Sequence, residues 1–405
     1  MRAVDLDSLL SGDHLARVIW RYVESLDLGA LYEPIKARQG TAGHPPIDPR
    51  LMLALWLYAT SEGVGSARAL ARLCESHDAY RWLCGGVSVN YHTLADFRLA
   101  HPELLDELLA KNVAALAAAG LIDLAALTQD GLRVRAAAGS SSFRRRGTVE
   151  ARLDEARVAV SRLREEVDGD PQANERRLKA AKERAAQERE RRAAAALEQL
   201  KEIEALRARR EKTHGKKTAK QGAPRVSLTD PEARVIKMPD GGFRPAYNMQ
   251  IVSAADSQVV VAIDVTNSGS DGGLARPMLE KLRQAGVRPK RYLADGGFTK
   301  KDDIEWADEQ GVDVYCPTTP TKHGLDPYAP REKDGPGLRR WRERMASAAG
   351  QVIYKRRSIH ECINARCRQW GLTQIAVRGL EKAKTILRWY ALTNNVLAAH
   401  RLAAA

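Results

Sequence analysis

The sequence predicts an α+β protein: an all-helical N-terminal domain over residues 1–120, then an α/β domain over 121–405 interrupted by a long helical hairpin. Three observations predict it. Up to about residue 120 the apolar residues recur at helical spacing, between breaks rich in Gly and Pro. From Asp123 onward short apolar runs bounded by turn residues alternate with amphipathic stretches. Between the first such run and the rest, residues 149–213 are highly charged and place apolar residues at alternating steps of three and four, the seam of a coiled helix pair.

The 405 residues, 44% of them hydrophobic, suffice for two or three soluble domains with their own cores. A net charge of +14 calls for a polyanionic partner. Nucleic acid is favoured over membrane, because the basic residues are spread along the chain. Cys74, Cys84, Cys316, Cys362 and Cys367 lack zinc-ligand spacing and fit a reducing cytoplasm. The opening MRAVDLDSLL carries acids where a signal peptide carries basic residues. No apolar run reaches membrane-spanning length, and LMLALWLYA, from Leu51 to Ala59, reads as a buried helix. A cytoplasmic protein is expected.

In order, DHLARVIWRYVESLDL is a helix after the Ser11-Gly12 break. IDPRLMLALWLYATSEG starts at an Asp48-Pro49 signal and stops at Gly63. SARALARLCESHDAYRWLCGG is a helical stretch capped by Ser66 and closed by Gly85-Gly86. SVNYHTLADFRLAHPELLDELL follows, with Thr93 as cap and Asp96 at the third helical position. Two short helices, a turn and a third helix rich in Asn, His and Arg form a helix-turn-helix-like pattern, in which Asn90, His92, Thr93 and Arg98 could meet DNA; a small helical docking domain reads the same way.

AALTQDGLRV is a strand on which Asp130 shares its side with Thr128, Leu132 and Val134. A carboxylate among apolar strand positions needs a cationic partner, a metal ion or an Arg. Then Leu153, Ala156, Val160, Leu163 and Val167 form a seam that Asp168-Gly169-Asp170-Pro171 breaks. A second long helix answers it, with Leu197, Leu200, Ile203 and Leu206 near its end and small residues that permit close packing. A basic linker occupies 214–228. YNMQIVSA and QVVVAIDVT are strands joined through Ala255-Asp256-Ser257. LARPMLEKLRQAG is a helix, PKRYLAD a strand ending at Asp295, GGFTKKDDIEWADEQG a loop and helix, and VDVYCP a strand. An irregular segment precedes YKRRSIHECINARCR, and LEKAKTILRWYALTNNVLAAHRL closes the chain as a helix.

Within YKRRSIHECINARCR, Tyr354, Arg357 and Glu361 fall at steps of three and four on one helix face, and Arg368 stands two turns further along. A carboxylate flanked by cations suits a place where metal ions meet phosphates. It also suits a solvated face laced with ion pairs. With the insert removed, the order from residue 121 is strand, strand, strand, helix, strand, helix, strand, helix, which is that of the ribonuclease-H-like fold. Acids stand on the first strand (Asp130), at the end of the fourth (Asp295) and on a late helix (Glu361). Two divalent ions held by such acids activate a hydroxyl and stabilise the leaving oxygen of a phosphodiester. Clustered carboxylates repel, so at least one should hold its proton tightly without metal. Asp230 and Asp271 read as caps or turns, Asp271 with a possible secondary role beside the metals. Asp302 and Asp303 suit a helix dipole. Trp306 and Trp370 read as core, and His360 is expected to face away from Glu361.

These residues make the chain resemble the DDE transposases of bacterial insertion sequences over almost its full length. GHPPIDPRLMLALWLYA, SARALARL and NYHTLADFR are similar to the N-terminal domain of many of them. LTQDGLRVRA resembles their first catalytic strand, and YLADGGF their second acid motif, with Phe298 as its aromatic. Tyr354-x2-Arg357-x3-Glu361 matches the Tyr-Arg-Glu-Lys signature of one branch, except that Arg368 stands where Lys is usual, a planar fork in place of a point charge. SLTDPEAR and AVRGLEKA resemble motifs of the subgroup that carries an inserted helical hairpin. The resemblance implies that Asp130, Asp295 and Glu361 are catalytic and hold two Mg²⁺ (or Mn²⁺) ions, and that Tyr354, Arg357 and Arg368 contact the bound strand. It implies as partners the element's terminal repeats and target DNA, met by a homo-oligomer associated with the nucleoid and not with a membrane. The implied reaction is cleavage at element ends and transfer of the 3′-hydroxyls to target. A ribonuclease-H-like nuclease without strand transfer, or an inactive DNA-binding relic acting as a repressor, is the alternative.

Overall fold

The computed structural model describes residues 5–33, 35, 47–167, 173–214, 222–318 and 326–404. The chain opens with helices α1 (Leu15–Glu24), α2 (Gly29–Tyr32), α3 (Pro49–Ser61), α4 (Ala67–Ser76), α5 (Asp78–Leu83), α6 (Tyr91–Ala100) and α7 (Pro102–Ala118). Asp48 starts α3 by accepting from the Arg50 N–H at 2.8 Å, with Pro49 supplying the first helical φ. Three local expectations change. The stretch after Ser66 is two helices, because His77 is extended (φ −115, ψ 126) and separates α4 from α5. Asn90, not Thr93, caps α6, accepting from the His92 N–H at 2.8 Å. The helix then stops at His101 and restarts at Pro102, since proline has no N–H to continue it and pushes the preceding residue out of the helical region.

Strand β1 (Ala126–Arg135) follows, then the short β2 (Phe143–Arg144), helices α8 (Arg146–Val167) and α9 (Ala173–His214), and β3 (Val226–Ser227). α8 and α9 run antiparallel: Arg146 pairs with Glu204, and Arg157 lies 3.9 Å from Glu190. Leu153 and Val160 are buried on the expected seam of α8, against a stripe of Ala186, Ala193, Ala196 and Leu200 on α9. Leu206, expected on that seam, is 52% exposed instead. The Asp168–Pro171 break and most of the basic linker lie outside the described residues. The end of that linker is not loose: Val226–Ser227 pairs with Phe143–Arg144, so β2 and β3 close the arm at its base.

The chain re-enters the main sheet through β4 (Arg234–Lys237), an additional strand, and continues through β5 (Phe243–Ala254), β6 (Val260–Thr266), α10 (Ala275–Gln284), β7 (Arg291–Ala294), α11 (Lys301–Glu309) and β8 (Asp313–Tyr315). Helices α12 (Pro336–Ala346), α13 (Ala348–Lys355), α14 (Ile359–Gln369) and α15 (Leu380–Ala403) complete it. The result is the expected α+β architecture. The strand order is β4-β5-β1-β7-β8, with β6 pairing β5 along the same edge as β4. β5 runs antiparallel to each of its neighbours β1, β4 and β6, whereas β7 runs parallel to β1 and β8 parallel to β7. One face packs Leu132, Val134, Tyr247, Met249 and Ile251 under α14 and α15. The other packs Leu127, Val252 and Ala254 under α10, α11 and α12.

Helix α15 belongs to two cores at once. Trp389, Leu392 and Val396 close the core of the N-terminal helices, while Ile386, Leu387, Tyr390 and Ala391 lie on the sheet. Its buried polar residues are partnered: Arg388 makes a two-pronged pair with Asp106 of α7 (2.9 and 2.7 Å), and Asn395 bonds both the N–H and the C=O of Val260 at 2.7 Å. Its N-terminus is capped from a distance. Asp230 accepts from the Gly379 N–H at 3.1 Å and Glu232 from the Leu380 N–H at 2.9 Å, so SLTDPEAR holds AVRGLEKA at the positive end of the helix dipole. Asp230 also accepts from Tyr247 Oη at 2.8 Å.

Two outcomes are expected. A fragment of residues 1–120 uncovers the face that α15 closes, so it should bind a hydrophobic dye and melt without a cooperative transition; a sharp melt would separate it from α15. Asp230→Ala leaves the Gly379 N–H and the Tyr247 hydroxyl without their acceptor and should cost about 1–3 kcal/mol, read from the urea midpoint of the full chain.

Candidate active site

The register of the parallel pair brings the first two acids together. β1 and β7 pair as far as Gln129 and Ala294, so Asp130 and Asp295 are the next residues on neighbouring strands, about 4.8 Å apart in the pairing direction. Asp295 leaves the strand and caps a short 3₁₀ turn (Gly296–Phe298), accepting from the Gly297 N–H at 2.8 Å. Phe298 is buried in the core beneath it.

The third acid arrives on a helix that differs from expectation. Tyr354 to Arg368 is not one helix: Tyr354 lies in the last turn of α13, Arg356–Ser358 is a 3₁₀ turn, and Glu361 and Arg368 belong to α14. Three residues per turn instead of 3.6 shift the phase across the junction. Arg357, in the tight turn, still reaches both acids, its guanidinium 3.0 Å from Glu361 and 3.5 Å from Asp130. Burial alone would lower its affinity for its proton, but Asp130, Tyr354 and Glu361 together hold it above the ordinary arginine value. Tyr354 is half-buried beside Arg357. Glu361 and Arg368 are exposed.

The carboxyl of Asp130 is perturbed by its surroundings. Burial lifts its carboxyl from 3.8 to about 6, with Asp295 and Glu361 adding to the rise and the Gly131 N–H and Arg357 opposing it. Its Oδ1 accepts from Gly131 at 2.8 Å and its Oδ2 from Asn364 at 2.9 Å. Asn364 escaped the sequence reading, although it stands one helical turn beyond His360 on the buried face of α14. His360 does face away from Glu361, as expected, and its task is structural. Its Nδ1 meets Thr128 at 2.9 Å and Ser253 at 3.1 Å, and burial, then Arg357, keeps it neutral down to about pH 3. Thus Thr128 and Asp130, on one side of β1, are both read by α14.

On the opposite side of β1, Asp271 opens the expected turn, its C=O accepting from the Leu274 N–H at 3.0 Å, but its side chain has another task. It is buried and accepts from Asn248 at 2.6 Å, Gln250 at 3.1 Å and Arg133 at 3.0 Å. Gly131 makes room for this cluster, since a Cβ there would lie 2.6 Å from Asp271 Oδ1. In the N-terminal helices, His92 is exposed and Asn90 caps through its carbonyl. Arg98 is turned inward, donating to the Gly65 C=O at 2.6 Å with its guanidinium 4.4 Å over Trp56, so it is not presented as an outer phosphate contact.

Among the described residues no three His, Cys, Asp or Glu side chains stand close enough to hold an ion together. The charge between Asp130 and Glu361 is supplied by Arg357. Residues 206–396 match the family described as the transposase DDE domain, and residues 4–99 match the transposase domain DUF772. Asp295 and Glu361 fall within the first match, and Asp130 precedes it, separated by the α8–α9 arm. No curated relative and no solved structure matches the chain.

In metal-free solution the raised carboxyl of Asp130 fixes a sign. A folded value near 6 against an unfolded value near 3.9 gives stability that is present below pH 4 and lost as pH rises through 6. Asp130→Asn should therefore match the wild type below pH 4 and exceed it above pH 6 by up to about 3 kcal/mol, measured by urea unfolding in EDTA. A variant less stable than wild type at pH 8 would contradict this.

Proposed function

The chain belongs to the DDE transposases of insertion sequences, and from that membership we propose that it cuts DNA at the ends of its element and joins the freed 3′-hydroxyls to a target. Asp130, Asp295 and Glu361 are the catalytic acids. The observation that carries this assignment is the register of β1 and β7, which makes Asp130 and Asp295 neighbours at the ends of parallel strands, with Arg357 bridging Asp130 to Glu361.

The donors fit a divalent cation. All three are carboxylates, the ligands that magnesium and manganese prefer. Asp130 is buried beside two like charges and already draws a guanidinium as substitute counter-ion. Glu361 is exposed and paired only with Arg357 among the described residues, so exchanging that partner for a cation leaves its side chain room to turn. When bound, two Mg²⁺ or Mn²⁺ ions supply the activation of a water or 3′-hydroxyl and the charge that stabilises the leaving oxygen. The chain's own part is placement. Asn364 and the Gly131 N–H fix the rotamer of Asp130, and the Gly297 N–H fixes that of Asp295. Released from the acids, Arg357 joins Tyr354 and Arg368 as donors toward a phosphate of the bound strand. The N-terminal helices engage the element ends through exposed groups such as Arg68 and His92. The α8–α9 hairpin is an insertion carrying assembly contacts between subunits on DNA.

The test compares Asp130→Asn, Asp295→Asn and Glu361→Gln in Mg²⁺ and in EDTA, on duplexes ending in the element's terminal repeat. Each should lose cleavage and joining by at least about 10³-fold while end binding persists. Any variant that cuts near the wild-type rate removes its residue from the triad. Cleavage without joined products would favour the nuclease reading.

A further inference from the structure

A cavity of about 570 Å³ lies between the N-terminal helices and the C-terminal segment, bounded by α3, α4 and α6 on one side and by residues 371–377 and α15 on the other. That volume is in the range of small-molecule sites and far larger than one inorganic anion requires. Its wall is apolar and aromatic, with Leu372, Ile386 and Tyr390 contributed by the C-terminal segment. Arg68 and Tyr91 also line it, the Arg68 guanidinium 4.9 Å over the Tyr91 ring.

Arg98 makes this more than a gap between domains. It lines the cavity, yet among the described residues no carboxylate pairs with it. One Nη is spent on the Gly65 carbonyl, and the Nε–H is buried without an acceptor. Burial presses the guanidinium down to about 10. A partly buried cation with a buried, unsatisfied Nε–H and no counter-charge is costly, and the natural remedy is an anion brought by a ligand. The second guanidinium, Arg68, adds attraction of the same sign. A ligand that neutralises these cations and fills an apolar, aromatic-walled space has a phosphate at one end and a flat heterocycle at the other.

We propose that this cavity binds a single nucleotide unit, its phosphate neutralising Arg98 and Arg68 and its base lodged against Leu372, Ile386 and Tyr390. The unit is either a free nucleotide or one residue of a DNA strand. Only the second source rests on the transposase reading. The site is separate from the acids, so its occupancy can be read with catalysis switched off.

The experiment uses the full-length protein in EDTA, with calorimetric titration of deoxyadenosine monophosphate, inorganic phosphate and a short single-stranded oligonucleotide. Two variants report on the cavity: Arg98→Met, which keeps bulk and removes the charge, and Ala376→Trp, which fills the space from the exposed loop and leaves Arg98 in place. The expected result is mononucleotide binding at least tenfold tighter than phosphate, weakened at least tenfold by either substitution. Arg98→Met should keep or raise the melting temperature, since it removes a partly buried charge that no carboxylate pairs and whose Nε–H lacks an acceptor. If only the oligonucleotide binds, with the same dependence on both positions, the proposal stands with a strand nucleotide as occupant. Phosphate binding as tight as the mononucleotide means an adventitious ion only and overturns it. No binding, or binding indifferent to both substitutions, also overturns it. None of these outcomes bears on the acid triad, whose test is metal-dependent cleavage.

Discussion

The structure depends on the burial of α15 from both sides. A helix of 24 residues that closes one core with Trp389, Leu392 and Val396 and another with Ile386, Leu387 and Tyr390 makes two regions interdependent. Its polar residues do not weaken it, because each has a specific partner at fixed geometry: Asn395 on the backbone of Val260, Arg388 on Asp106, Trp389 on the Arg98 carbonyl at 2.9 Å. Those bonds are directional where the apolar contacts are not, so they set the register of α15 against the sheet edge. The distant cap from Asp230 and Glu232 then fixes where the helix begins. The cavity holding Arg98 exists because α15 and the segment before it meet the N-terminal helices there.

The acid site is a balance of opposed protonation tendencies around one strand. Asp130 is pushed toward its neutral form by burial and by like charges, while Arg357 pulls it toward the ionised form. On the same side of β1, His360 is kept neutral by burial, with the same guanidinium disfavouring its protonated form. Between pH 4 and 6 the two groups therefore act in opposite senses, since acid relieves Asp130 and strains His360. Thr128 and Ser253 hold the imidazole in place, so helix α14 stays seated on β1 whatever the charge of Asp130.

Much of this was legible in the residues. The Asp48-Pro49 start, the breaks at Gly63 and Gly85-Gly86, the strand through Asp130 and the strand ending at Asp295 follow from local chemistry that tertiary packing does not override. The order of strands and helices was enough to place two acids side by side, because parallel pairing of β1 with β7 leaves little freedom in register. What was hidden depends on neighbours distant in sequence. Nothing near Arg98 shows that Trp56 and Gly65 will draw it inward. Asp271 is the turn residue it reads as, but nothing near it in sequence shows that its carboxylate will be surrounded by Asn248, Gln250 and Arg133. Both Asn90 and Thr93 are good helix starters, and the choice rests on one backbone bond. The 3₁₀ turn at Arg356–Ser358 has no proline or glycine to announce it. The sharing of α15 is equally silent, since a helix buried all round shows no single apolar stripe.

The two-stranded ribbon of Phe143–Arg144 with Val226–Ser227 has a consequence for how such a chain can change over time. It ties together the chain entering α8 and the chain leaving α9, so the loop-closure entropy of the whole excursion is met at the stem rather than in the sheet. The main fold then has little sensitivity to what lies beyond the stem. Whole turns of α8 and α9 can be gained or lost in matched pairs, lengthening or shortening a lever whose α8 side is about 33 Å long, without moving Asp130 relative to Asp295. Reach and chemistry are thereby separate traits of one polypeptide, open to selection independently.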